Sequence, residues 1–276
     1  MIRIGWIVSL ALIATTAMAA EPPEQAVVIP TRPGVSVAAY LTEPDTPARA
    51  ALIIFAGGDG NVGVRPGEAV PPPQPEQRGN FLVRSRRLLA GHGLVVLTPD
   101  APSDLNGSIP DSFRLSDEHV ADIAALTVWL KHRSGGLPVW LVGTSRGSYS
   151  AAIGAERLGR GIDGVILTSS VTKESPRQAM PYNGVLSLDL NKVAVPALVM
   201  AHHGDSCWAS PPADAQRLAE ALTGTPRREV VVLDGGTAPR SASCEAMAHH
   251  GYIGQEDEAA AVIARFVLDD ASSLRP

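Results

Sequence analysis

Ser145 stands in Gly143-Thr144-Ser145-Arg146-Gly147, a G-x-S-x-G spacing whose chemistry is attack by a serine hydroxyl on a carbonyl. The glycines are there for a steric reason. A serine on a sharp turn between strand and helix presses the residues two places either side against neighbouring backbone, and only glycine leaves room. The same turn aims the first N–H groups of the following helix at the hydroxyl, where they and the helix dipole favour negative charge. The Arg146 N–H is one natural donor to an oxyanion formed there. The pattern alone decides little. With 26 glycines in 276 residues, chance supplies it to roughly one such chain in six.

The flanking elements therefore carry the weight. The spacing predicts strands over Val35 to Leu41, Ala50 to Phe55, Leu94 to Leu97, Pro138 to Val142, Val165 to Leu167, Ala197 to Met200 and Glu229 to Leu233. Helices are predicted from Asn80 to Gly91, from the N-cap Ser116, over Ser148 to Leu158, Pro211 to Leu222 and Glu256 to Leu268. Strands alternating with helices imply an α/β chain with a mostly parallel, doubly wound sheet covered by helices on both faces. The strand ending at Val142 runs straight into the Ser145 turn, and an alanine-rich helix follows it. A Pro/Gly-rich loop from Gly63 to Gly79 interrupts the pattern and is neither helix nor central strand. Arg84, Arg86 and Arg87 form the one tight basic cluster, read as the solvated face of a helix.

From about residue 35 to 268 the chain resembles the alpha/beta-hydrolase superfamily, in particular its serine esterase-like members of the exported bacterial type with a small or absent cap. That resemblance implies the order nucleophile, acid, histidine. Asp205, in Gly204-Asp205-Ser206 after the Ala197 strand, takes the acid's place, with Asp234 in reserve. His250 takes the base's place because glycine and an aromatic, Gly251 and Tyr252, follow it; His249 beside it stays eligible. The loop after the Ala50 strand, Gly57-Gly58-Asp59-Gly60, would lend the second oxyanion donor from Gly58 or Asp59. The implied reaction is two-step acyl transfer on a small-molecule ester, or on an amide or peptide, with no cofactor and no metal. The side chain of Arg146 would meet a polar substrate or pair with a neighbouring carboxylate. The short segment between Leu167 and Ala197 leaves no room for a large helical cap.

The ends and composition set the remaining bounds. Arg3, the apolar run from Ile4 to Ala14 and Ala17-Met18-Ala19 read as a secretory signal peptide over residues 1–19, cut after Ala19 or Ala20 and leaving one domain over 20–276. A periplasmic or secreted location follows, with no membrane contact after cleavage. The formal charge of −5, without a basic block, argues against a nucleic-acid partner. The oligomeric state is left open by the sequence.

Cys207 and Cys244 in an exported protein invite a disulfide that would hold the Asp205 and His250 loops in register, closing a loop worth about 4 kcal/mol of chain entropy. Two rivals use the same residues. His202, His203, Cys207, Cys244, His249 and His250 have the atoms of a zinc site but lack the close spacing that pre-organises one. A non-catalytic binding protein on the same fold is the other.

Overall fold

A computed structural model describes residues 23–68, 79–173 and 184–273. The expected signal peptide, the centre of the Pro-rich loop (69–78) and part of the segment before Ala197 (174–183) lie outside them.

Eight strands form one sheet in the order β1-β2-β4-β3-β5-β6-β7-β8. They are β1 (Glu24–Arg32), β2 (Val35–Thr42), β3 (Ala50–Phe55), β4 (Leu94–Pro102), β5 (Val139–Thr144), β6 (Gly164–Thr168), β7 (Ala197–His202) and β8 (Arg228–Leu233). From β4 onward neighbours are parallel; β1 and β2 add an antiparallel edge. The helices are α1 (Phe81–Gly91), α2 (Asp111–Arg114), α3 (Asp117–Arg133), α4 (Gly147–Leu158), α5 (Asp214–Ala221) and α6 (Glu256–Ser273). Ser116 caps α3 as expected, its hydroxyl accepting the His119 N–H.

Side chains alternate across the central strands, so β3 sends Ala51, Ile53 and Phe55 to one face and Ala50, Leu52 and Ile54 to the other. The first face packs on α3, α4 and α5, the second on α1 and α6. Burial on both sides explains why these strands read as unbroken apolar runs rather than alternating ones.

Two sequence readings need correction. Residues Glu24–Arg32 form an edge strand that the sequence pattern did not announce, because apolar and polar residues do not alternate along it, Val28 being exposed, and it contains Pro30. The arginine cluster is not a solvated face. Arg86 is 2% exposed and its Nε lies 2.5 Å from Glu24 Oε1; Arg87 meets Glu24 Oε2 at 2.6 Å, and Arg84 meets Glu256 at 2.9 Å. The unannounced β1 delivers the carboxylate that offsets the desolvation cost of burying Arg86 and Arg87.

Candidate active site

The turn from β5 into α4 holds Ser145 at φ +52°, a left-handed conformation unfavourable for a residue with a Cβ. A Cβ on Gly143 would run into the backbone of Gly147, and one on Gly147 into the carbonyl of Phe55. Both glycines are thus sterically required. The Ser145 N–H is committed to the Thr168 carbonyl at 3.1 Å, while the Ser145 carbonyl accepts the Ser148 N–H at 3.0 Å and the Ser148 hydroxyl at 2.5 Å. The next N–H, that of Arg146, has no backbone acceptor among the described residues and starts α4. Its side chain pairs with Asp111 at 2.7 Å, so of the two readings of Arg146 the structure shows the neighbouring carboxylate.

The β3 loop abuts this turn. A Cβ on Gly57 would lie 2.9 Å from Ser145 Cβ, so the glycine lets loop and nucleophile turn touch. The Gly60 N–H closes a turn onto the Gly57 carbonyl at 3.1 Å, with Gly58 at φ +59°. Asp59 is held through its carboxylate by the Asn61 N–H and through its carbonyl by the Ile109 N–H. The N–H groups of Gly58 and Asp59 have no backbone acceptor among the described residues.

Beneath the loop Arg114 is buried, donating to the Ala56 carbonyl at 3.2 Å and to Ser150 Oγ at 3.0 Å. Burial, with the charge of Arg146 adding to it, lowers its pKa to about 10. The guanidinium still stays charged at neutral pH.

Beyond β7, Asp205 and His250 meet. His250 Nδ1 lies 2.9 Å from Asp205 Oδ2, and both side chains are almost fully buried. The Cys207 N–H holds Asp205 Oδ1 at 2.8 Å; the Ser210 hydroxyl donates to Oδ2 at 3.1 Å and lies 3.0 Å from His250 Nδ1. With Nδ1 occupied, His250 Nε2 is buried and without a hydrogen-bond partner among the described residues. His250 and Ser145 line one cavity of about 410 Å³ with Ala56, Gly57, Gly58, Asp59 and Asn80. Cys207 and Cys244 are joined by a disulfide, which ties the turn holding Asp205 to the loop that leads into His250.

The other candidates are placed elsewhere. Asp234 is exposed and lies 3.7 Å from His203, whereas His250 is paired with Asp205. His249 stacks on His202 with ring centroids 4.6 Å apart and sets its Nδ1 3.2 Å from the Gly204 carbonyl. His202 is locked between the Gly204 N–H and Gln255 Oε1, and burial lowers its pKa. With both cysteines in the disulfide, a zinc site would lack its sulfur ligands. Ser210 and Arg114 were not singled out in the sequence, Asn80 was read there only as the start of a helix, and Gly57 only as part of the glycine-rich loop.

No family model matches the chain, and no curated relative does. Solved structures do. Est1E from Butyrivibrio proteoclasticus is 16% identical, with a TM-score of 0.59 over 90% of this chain and 99% of that one. The Pyrococcus furiosus esterase Pf2001 gives 15% and 0.61 over 89% and 92%. XC6422 from Xanthomonas campestris, described as an a/b serine hydrolase without lid, gives 13% and 0.56 over 95% and 99%. At such identities the likeness is one of fold: the chain has the alpha/beta-hydrolase fold, as the sequence resemblance implied.

Proposed function

We propose that this chain is an exported serine hydrolase that cleaves carboxylic esters through an acyl-enzyme. The observation that supports it most is the His250 ring, tethered at Nδ1 by Asp205 and open at Nε2, on the wall of the cavity that Ser145 also lines. That arrangement suits a base whose tautomer is fixed by a buried carboxylate.

In the first step Nε2 takes the proton of the Ser145 hydroxyl as Oγ bonds to the carbonyl carbon. The carbonyl π pair moves onto oxygen, held by the N–H groups of Arg146 and of Gly58 or Asp59. The pair returns as the bond to the leaving alcohol breaks, and the imidazolium gives that alcohol its proton. Water then repeats the steps on the acyl-enzyme and releases the acid. Asp205 keeps its negative charge beside the transient imidazolium. No step calls on a cofactor.

The ester preference rests on the neighbour Pf2001, described as an esterase. Export rests on the signal peptide expected over residues 1–19 and on the disulfide, a bond that persists in oxidising compartments. No helix among the described residues is long and apolar enough to cross a membrane.

The test is labelling by a fluorophosphonate together with turnover of activated esters. Wild type should lose activity as one label attaches, at Ser145, and Ser145→Ala should neither label nor turn over. Turnover in Ser145→Ala at the wild-type rate would overturn the assignment, as would faster cleavage of matched anilides for the ester preference.

A further inference from the structure

Two carboxamides stand on the wall of the cavity, and the mechanism above uses neither. Asn61 Nδ2 lies by Gly107. Asn80 lies by the reacting groups. It is the N-cap of α1, its Oδ1 accepting the Leu82 N–H at 3.0 Å. Only the oxygen of a carboxamide accepts, so this bond also fixes which atom is nitrogen. Asn80 Nδ2 makes no hydrogen bond among the described residues.

The position of that nitrogen is given by Gly57. A carbon attached at the Gly57 Cα would lie 3.1 Å from Asn80 Nδ2 and 2.9 Å from Ser145 Cβ. Nδ2 and the Ser145 Cβ thus border one point, at the loop that presents the Gly58 and Asp59 N–H groups. His250 Nε2, buried and unpartnered among the described residues, belongs to the same cavity. A donor here need not reorient when charge develops, because the cap bond already holds the amide plane, and such pre-organisation is what makes an oxyanion donor effective. Capping alone does not demand asparagine, since Asp or Ser caps as well. Asn adds an NH2 group on the far side of the cap bond.

We propose that Asn80 is a catalytic residue, its Nδ2 donating to the oxygen that gains charge when Ser145 attacks; the proposal rests on Ser145 being the nucleophile. It would make the oxyanion hole partly a side-chain device, joined to the first turn of α1.

Asn80→Asp keeps shape and cap while replacing the donor by an acceptor, and Asn80→Ser keeps a capping oxygen without the amide. Both should retain the wild-type thermal midpoint and KM. Removing one oxyanion donor costs about a hundredfold or more in kcat, and Asn80→Asp should fall by that factor, Asn80→Ser by at least about tenfold. Affinity for a trifluoromethyl ketone, whose adduct with Ser145 bears the oxyanion, should fall in parallel. Wild-type kcat and ketone affinity in either variant would overturn the proposal. A rate loss that follows a lowered thermal midpoint with ketone affinity intact would also overturn it. Fluorophosphonate labelling of the wild type separates the two claims: without a label on Ser145 the hydrolase reading falls and this proposal with it, whereas a labelled enzyme with unaffected Asn80 variants removes only the proposal.

Discussion

The Ser210 hydroxyl donates to the Asp205 carboxylate at 3.1 Å, inside a pocket that leaves Ser210 only 3% exposed. Ser210 has one proton to give, and Asp205 Oδ2 also faces His250 Nδ1 at 2.9 Å, so the hydroxyl fixes where that oxygen points. Ser210→Ala should cost about 1.5 to 3 kcal/mol of stability, the worth of a hydrogen bond to a charged group. It should also lower kcat about tenfold with KM unchanged. Urea denaturation and ester kinetics check it, and a stability loss with kcat unaltered would show that Ser210 merely packs.

The two adjacent histidines should separate sharply. His250→Ala removes the proposed base and should lower kcat by about a thousandfold or more. His249→Ala removes a ring stacked on His202 and should change kcat less than about tenfold. Equal losses in the two variants, measured with one ester, would contradict the assignment of His250.

These contrasts mark what was legible in the sequence. The Ser145 turn could be read because its steric needs are local: two glycines, an apolar strand before and small residues after. The parallel sheet could be read because strands covered on both faces are apolar throughout. Ser210 and Asn80 could not, since their neighbours in sequence say nothing about His250 or Ser145. Arg114 looks like any surface arginine until the fold sets it under the Ala56 carbonyl. Glu24 misled in the opposite sense: without β1 in view, the arginines of α1 had no visible reason to be buried.

The Cys207–Cys244 bond spans a sequence separation of 37, and closing such a loop is worth about 4 kcal/mol in the chain-entropy picture. The replacement of both cysteines by serine should lower stability by about 2 to 4 kcal/mol. Because the Cys207 N–H also holds Asp205 Oδ1, kcat should fall as well, even where the variant stays folded. Melting curves and kinetics below the transition test this. A variant that is less stable yet fully active would confine the bond to a structural role.

His119 gives the fold an acid-sensitive element away from the proposed chemistry. It is 4% exposed, both ring nitrogens lack partners among the described residues, and its ring meets Phe55 and Phe113 at 6.1 and 5.3 Å. Burial, with the charges of Arg114 and Arg32 adding to it, lowers its pKa from 6.5 to about 3. Between these values the unfolded chain binds a proton that the folded chain refuses. The stabilising effect is therefore complete above pH 6.5 and is lost as pH falls from there toward 3, by up to about 1.4 kcal/mol per unit. His119→Phe keeps the aromatic contacts, breaks no hydrogen bond and removes the titration. At a pH of about 7.5 it should be at least as stable as wild type. On moving to about pH 5 the wild type should lose about 2 kcal/mol more than the variant, read from urea midpoints at the two pH values. Parallel losses in both proteins would place the acid sensitivity in other groups.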